Sequence, residues 1–339
     1  STLQERVELI IGGKYQTNLE KSVRCANAET DSMEVWQFNF AENKWIKRTS
    51  ISSNTMFVYM MESEYIASNG DTTIIRQTDS RYTPSVYLKI SPQKNNKYDI
   101  VAKELPETLV RKNMGTSQIK NEVYLSGGKK ADGTVGNEIW KFDIRTEQWT
   151  FKNTFPQGAS LYGHISIADT VNKKVYIFGG LNANNEHNFA TYEYNAKYNN
   201  WGFAPNIQGD YAIQGLSFPT QASGLNPGEI WFAGGIKYSS QKSTKVNKSI
   251  TMSTDLFSIT VQNNTIKTKL LTSNYPPVLY GCSWVSIQNT DTIFYTFGGI
   301  SSITETGDTT VTNNLYSYNK TTSQLQQYDA TLQNWGGII

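Results

Sequence analysis

The chain has 339 residues, with 31 lysines and arginines against 29 aspartates and glutamates, a formal net charge of +2. This balance argues against the basic surface of a nucleic-acid-binding protein and the polybasic patch of a membrane-surface protein. No run approaches the roughly 18 apolar residues of a transmembrane helix. We therefore expect neither nucleic-acid binding nor membrane insertion by this segment.

A short apolar run that ends in two glycines occurs near the start of the chain, at Leu9–Gly13. The pattern recurs, and its first glycine, or an asparagine in its place, falls at Gly12, Asn69, Gly127, Gly179, Gly234 and Gly298. Runs of this kind bounded by glycine predict strands. The diglycine suits a strand end where positive φ is needed or two backbones approach closely. The six copies have a period of roughly 50 residues, which indicates a repeat architecture.

An aromatic residue follows the diglycine at a fixed distance in the third and fourth copies. It comes 12 residues after the second glycine, and a tryptophan follows 9 residues later. Aromatic residues hold these two repeat positions at Trp36, Trp140, Tyr192, Phe257 and Tyr316, and at Trp45, Trp149 and Trp201. We predict that these aromatic residues are structural and pack between repeats.

A strand ending in Gly-Gly, a later aromatic strand and a tryptophan at fixed spacing resemble the kelch repeat of the galactose oxidase and kelch superfamily. The resemblance covers nearly the whole chain. It implies an all-β fold, a six-bladed β-propeller with one four-stranded blade per repeat. The predicted single domain spans residues 1–339, with blades at about 1–50 plus 333–339, 55–105, 110–155, 160–205, 211–273 and 278–330.

Upstream of several diglycines the sequence has a bulky residue, a glycine and then an alternating run, which predicts an inner strand. These runs begin at Met114, Tyr162, Gln214 and Tyr280, and we expect their first residues to surround the mouth of the central channel. The first blade lacks such a run, whereas the chain ends in the matching Trp335–Ile339. We predict that this C-terminal strand pairs with Val7–Ile11, completes blade one and closes the ring, leaving no open edges there.

Long polar loops follow the diglycines of three blades, at Lys14–Ser32, Lys237–Ser253 and Ser301–Asn313. In a propeller such loops project from one face, and long loops on a rigid scaffold often carry function. We predict a binding face there, with candidate ligand-binding residues Tyr15, Arg24, Lys129, Tyr162, His187, Tyr238, Tyr280 and Trp335. Aromatic residues with a polar group are favoured at interfaces. The alternative is that they are buried against their own neighbours.

These features favour a binding module, a monomeric domain that presents its loop-rich face and channel mouth to a protein or glycan partner. The alternative is a carbohydrate-active enzyme with its site at the channel mouth, resembling either the mutarotases or the copper oxidases of this superfamily. The sequence contains no nucleophile elbow, P-loop or dinucleotide-binding motif. Its two histidines, His164 and His187, lack metal-ligand spacing. We therefore assign no catalytic residue, metal or cofactor.

Three N-x-S/T sequons, at Asn247, Asn263 and Asn319, are candidate glycosylation sites. The chain also resembles secreted or ectodomain kelch proteins such as those of fungal cell surfaces, so we expect an extracellular or cell-surface location, with the cytoplasm as the alternative. In a closed six-bladed ring, blades one and six are neighbours. We therefore predict a disulfide between Cys25 and Cys282, with two free thiols as the alternative.

Overall fold

The computed structural model describes residues 9–12, 32–39, 44–52, 63–66, 72–75, 86–93, 97–202, 205–211, 213–224, 226, 228–237, 251–279, 282–288, 290–304, 309–312 and 314–328. These residues form β-strands and two single-turn 3-10 helices, Glu107–Leu109 and Pro156–Gly158. The fold is all-β, as predicted, and six main sheets follow one another along the described chain.

The first three sheets are antiparallel, and their strands lie side by side in chain order. Blade one contains β1 (Leu9–Gly12), β2 (Ser32–Asn39) and β3 (Lys44–Ser52). Blade two contains β4 (Ser63–Ile66), β5 (Thr72–Ile75), β6 (Val86–Gln93) and β7 (Lys97–Glu104). Blade three contains β8 (Gly115–Ile119), β9 (Glu122–Ser126), β10 (Glu138–Asp143) and β11 (Gln148–Thr154).

The next three sheets continue this order, with additions in blades five and six. Blade four contains β12 (Ile165–Asp169), β13 (Lys174–Phe178), β14 (Thr191–Asn195) and β15 (Asn200–Trp201). Blade five contains β16 (Asn206–Gly209), β18 (Thr220–Ser223), β19 (Glu229–Ala233), β21 (Leu256–Gln262) and β22 (Thr265–Thr272), beside the short pair β17 (Leu216–Ser217) and β20 (Ile236–Lys237). Blade six contains β23 (Cys282–Gln288), β24 (Asp291–Phe297), β27 (Leu315–Asn319) and β28 (Gln324–Tyr328), beside the pair β25 (Ile300–Ile303) and β26 (Thr309–Val311).

The diglycines of blades three, four and five each join their blade to the next one. The amide of the second glycine donates to a carbonyl in the segment that leads into the next blade: Gly128 to Leu161 at 2.8 Å, Gly180 to Leu216 at 2.9 Å and Gly235 to Val278 at 3.0 Å. Both glycines of the four fully described pairs have positive φ. A Cβ on Gly127 or Gly179 would collide with the same carbonyl. The repeat therefore requires glycine for its backbone conformation and for the close approach of the next blade.

The hydrophobic core consists of clusters between successive blades. Phe142 and Trp149 of blade three pack with Leu105 and Leu109, which belong to the segment that leads into this blade. The cluster between blades three and four contains Tyr192 and Trp201, the cluster between blades four and five contains Phe257, and that between blades five and six contains Tyr316. The prediction that the repeat aromatics pack between blades is confirmed for Tyr192, Trp201, Phe257 and Tyr316.

Blade two contains the copy of the repeat that lacks the first glycine. In its sheet, Ser63–Ile66 comes first and pairs with Thr72–Ile75, which comes second. Asn69, which stands in place of the first glycine of this copy, lies outside the described residues.

The inner strands predicted from Met114, Tyr162 and Tyr280 are found as β8, β12 and β23, with their first paired residues slightly later in the chain. The first paired residues of the inner strands, each opposite the residue before a diglycine, are Gly115, Ile165, Thr220 and Cys282. In blade five the predicted inner strand at Gln214–Phe218 is wrong, since Thr220–Ser223 takes that place. Met114 does not line the channel mouth, because it is buried in the cluster that contains Leu109 and Phe142.

The glycines explain the misalignment, because each leaves room for a different neighbour. A Cβ on Gly115 would meet the imidazole of His164, and one on Gly163 would meet the ring of Phe218. A Cβ on Gly215 would meet the ring of Phe189. The pattern of a bulky residue followed by glycine therefore marks sites of close approach, and these fall at different positions in different blades.

The inner strands β8 and β12 lie next to each other, as do β18 and β23, which arranges the blades around a common axis. The predicted closing strand at Trp335–Ile339 lies outside the described residues, so ring closure stays a prediction. Across the part of the chain that the structure describes, no helix is long and apolar enough to cross a membrane.

Candidate interaction face

The diglycine end of the propeller carries an apolar group that we call the apical cluster, formed by Tyr162, Phe218, Leu279 and Ile300. All four side chains are buried. The first three come from the segments that lead into blades four, five and six, and Ile300 follows the last diglycine. The rings of Tyr162 and Phe218 lie 5.7 Å apart. Consecutive blades therefore contribute apolar groups to one cluster at this end of the axis.

A polar group lies beside the apical cluster, between the loops of blades three and four. The Lys129 ammonium lies 4.7 Å from the centroid of the Tyr162 ring. Lys129 Nζ donates to Asn185 Oδ1 at 3.2 Å, and the Tyr162 hydroxyl donates to the same oxygen at 2.6 Å. Burial raises the pKa of Tyr162, so its hydroxyl stays a neutral donor. Two residues of the predicted binding face, Lys129 and Tyr162, thus meet through an asparagine that the prediction did not include.

The loop that carries Asn185 is held by its own hydrogen bonds. Asn182 donates its backbone N–H to the Glu186 carbonyl and receives that of Asn185, at 2.9 and 3.0 Å. The Asn182 side chain also donates to the Glu186 carboxylate. Asn185 has φ of 60°, a left-handed conformation that asparagine tolerates better than most residues. The oxygen that receives Lys129 and Tyr162 therefore lies on an ordered turn.

His187 is half-buried on the same loop, and its backbone bridges Leu181. Its Nδ1 lies 3.1 Å from the Gly215 carbonyl and 3.4 Å from Ser217 Oγ. Burial lowers the pKa of His187, while the hydrogen bond to Gly215 opposes that shift. A neutral imidazole that donates from Nδ1 fits this carbonyl. His187 therefore links blade four to the segment that leads into blade five, which contains Gly215 and Ser217.

His164 has a different environment, since it is 7% exposed and lies between blades three and four. Its Nε2 lies 2.7 Å from Ser126 Oγ, and its Nδ1 has no hydrogen-bond partner among the described residues. Burial lowers the pKa of His164 to about 3. The imidazole is therefore neutral at ordinary pH, and its contacts indicate a packing role.

The two histidines contact different partners, Ser126 for His164 and the lead-in of blade five for His187. Within the described ranges, no group of three or more histidine, cysteine, aspartate or glutamate side chains could hold a metal ion.

Several candidate residues lie outside the described residues: Tyr15, Arg24, Cys25, Tyr238, Asn247, Tyr280 and Trp335. Cys282 begins β23, but its predicted disulfide partner is among those residues, so the disulfide stays a prediction. The sequence analysis also missed Asn185, Phe218, Leu279 and Ile300. Their only sequence signal is position, since they follow a diglycine or precede an inner strand.

Comparison with known sequences supports the reading of the repeat. The family described as Kelch motif matches residues 111–156, which span blade three. Kelch-like protein 35 of Mus musculus is 24% identical over 168 residues, 48% of this chain. The aligned region spans 26% of the mouse protein, about a quarter of its length.

Comparison with solved structures supports the architecture. The structure of YjhT superimposes with a TM-score of 0.55 and covers 81% of this chain and 85% of its own, at 15% sequence identity. The described part of the chain therefore has a β-propeller fold, and residues 111–156 match the Kelch motif.

Proposed function

We propose that this kelch propeller is an interaction module that binds a protein partner at its diglycine end, over the apical cluster. The observation that supports this proposal is the Lys129–Tyr162–Asn185 group, a cation held on an aromatic ring at the border of an apolar cluster. Interfaces concentrate their binding energy in a few such aromatic and cationic anchors, surrounded by groups that exclude water.

The arrangement is ordered before any partner arrives. Lys129 is fixed by the Tyr162 ring and by Asn185, so binding would cost less side-chain entropy than it would for a free lysine. A lysine ammonium has three donors, and Asn185 accepts one of them. The remaining donors are suited to carbonyl or carboxylate oxygens of a protein partner.

Chemical cross-linking of the purified chain to interacting proteins, followed by mass spectrometry, tests this assignment. We expect cross-links to concentrate on the loops of blades three and four, and Lys129→Ala with Asn185→Ala to weaken capture about tenfold, equal to about 1.4 kcal/mol. Lys197→Ala is the matched control, because Lys197 lies 4.8 Å from the Tyr198 ring in the turn at the opposite end of blade four. Equal loss in the control, or recovery of a glycan as the bound species, would contradict the proposal.

The proposed location is extracellular, where the sequons would be available for glycosylation, and the structure distinguishes two of them. Asn263 is exposed at the tip of the β21–β22 hairpin, where it and Asn264 both have positive φ. By contrast, Asn319 donates its amide to the Asp291 carboxylate at 2.8 Å, and its Oδ1 accepts the Thr321 N–H. In a chain expressed through a secretory pathway, site-resolved mass spectrometry should find glycan on Asn263 and little on Asn319. An unmodified Asn263 would contradict this expectation.

A further inference from the structure

In the described part of the chain, the outer strand of blade six, β28, is exposed to solvent on both faces and along its outer edge. Four consecutive side chains of β28, from Gln324 to Gln327, are exposed, and Leu325 is 44% exposed. Successive side chains of a strand point to opposite faces, so both faces of β28 are open to solvent. β28 is also the last strand of its sheet, and no strand among the described residues pairs with its outer edge.

The composition of β28 distinguishes it from the other outer strands. Lysine on an edge strand discourages pairing with another chain, as does proline or a very short edge. The outermost strands of blades one, two and three carry lysines, such as Lys44 in β3, Lys103 in β7 and Lys152 in β11. In blade four the outermost strand, β15, has only 2 residues, and in blade five the edge strand of the sheet is β16, which has 4. The sequence of β28, QLQQY, contains neither charge nor proline.

Blade five shows that an outer edge of this propeller accepts an additional strand. There β16, from the segment that precedes the blade, pairs in parallel with the outer strand β22 between Asn206–Thr265 and Gly209–Thr268. In blade six the described part of the corresponding segment, 273–279, forms no strand. The described chain thus covers one outer edge itself and provides no such cover for β28.

We propose that β28 is a self-association edge, through which two copies of this chain pair antiparallel about a two-fold axis. Such an interface places each residue opposite its symmetry partner, with Gln326 opposite itself when the pairing is centred on the strand. A strand without charge meets its copy without repulsion, whereas like charges placed opposite each other destabilise a sheet. Stacked glutamine side chains also hydrogen-bond to one another. The pairing would join two four-stranded blades and cover Leu325.

Sedimentation velocity over a range of protein concentrations tests this proposal on the native chain and two variants. We expect a concentration-dependent dimer, with Gln326→Lys weakening association about tenfold or more, equal to about 1.4 kcal/mol, because it brings two ammonium groups together. Thr150→Lys, an exposed position of the outer strand β11, adds the same charge to a different edge and should leave association unchanged.

Hydrogen exchange at low and high concentration provides a second measurement that does not depend on a variant. The amides of Gln324–Tyr328 should exchange more slowly at high concentration, while those of β11 should not change. A chain that stays monomeric at high concentration overturns the proposal, even if β28 then binds an extended segment of another protein. A dimer that Thr150→Lys weakens as much as Gln326→Lys also overturns it.

Discussion

The segments that lead into blades four and five fill one backbone position in two ways. Gly163 and Phe218 each come two residues before the first paired residue of an inner strand, Ile165 or Thr220. Both are left-handed, with φ of 63° and 56°. A Cβ on Gly163 would collide with the Phe218 ring. Because Gly163 has no side chain, the ring of Phe218 occupies the space where that side chain would lie.

This difference shows that the apical cluster takes precedence over local backbone preference. A left-handed conformation costs an L-residue roughly 1–2 kcal/mol, and glycine avoids that cost. Blade five nevertheless has phenylalanine there, and its ring packs on Tyr162 and is only 9% exposed. We infer that burial of the ring in the apical cluster offsets the strain of its own backbone.

Replacement of Phe218 tests this inference most strongly. Phe218→Ala removes a buried ring and should lower the free energy of unfolding by about 3–5 kcal/mol. Phe218→Gly loses the same ring but relieves the left-handed backbone, so it should be more stable than the alanine variant by about 1 kcal/mol. Denaturant unfolding of both variants provides the measurement.

Phe232, buried in the regular strand β19, provides the control for this reversal. At this position Phe232→Gly should have a lower free energy of unfolding than Phe232→Ala, by roughly 0.5–1 kcal/mol. If alanine were also the more stable replacement at Phe218, backbone strain would not explain the comparison.

A side chain at Gly163 should have the next largest effect. Gly163→Ala combines an unfavourable φ with a collision against Phe218, and should lower the free energy of unfolding by about 3 kcal/mol. Gly158→Ala isolates the backbone contribution, because Gly158 has φ of 71° and open space around it, and should cost about 1 kcal/mol. In the double variant Gly163→Ala with Phe218→Ala the losses should not add, since the collision is removed. Full additivity would disprove the contact.

The residue that follows Gly163 is His164, whereas the residue that follows Phe218 is Pro219. His164 can titrate, so we expect the stability of the chain to depend on pH. Because the pKa of buried His164 is about 3, the unfolded chain takes up a proton below pH about 6.5 while the folded chain does not. Its contribution to stability is therefore present above that pH and is lost as the pH falls towards 3.

Replacement of His164 by the residue of blade three isolates this contribution. His164→Met introduces the methionine that Met114 provides directly before β8. Relative to the variant, the native chain should lose about 2 kcal/mol of unfolding free energy between pH 8 and pH 5. Unfolding curves at both pH values provide the measurement, and parallel losses in the two proteins would show that His164 does not titrate in this way.

The smallest expected effect concerns the polar contact of Tyr162. Tyr162→Phe keeps the ring against Phe218 but removes the donor to Asn185, and should lower the free energy of unfolding by about 1 kcal/mol. Asn185→Ala removes the same hydrogen bond, so the double variant should lose less than the sum of the two single variants. A double variant that loses the full sum would show that the two groups are not coupled in solution.

The sequence by itself determined the repeat, the strands of most blades and the packing role of the aromatic residues. These features are local: alternation along a strand and a glycine pair at its end depend on the backbone of each repeat. The carbonyl of Leu161, which receives the Gly128 amide, shows why the diglycine recurs, since Gly180 and Gly235 make the same contact at the next two blade junctions.

Only the tertiary structure decided which residues meet at the diglycine end. Lys129 and Asn185 are separated by 56 residues along the chain, and nothing local indicates that they share a hydrogen bond with each other. The misplaced inner strand of blade five has the same origin. Gly115, Gly163 and Gly215 make room for His164, Phe218 and Phe189 respectively. The sequence alone does not distinguish these glycines, because each ring that needs the space lies in a segment that only folding brings beside the glycine.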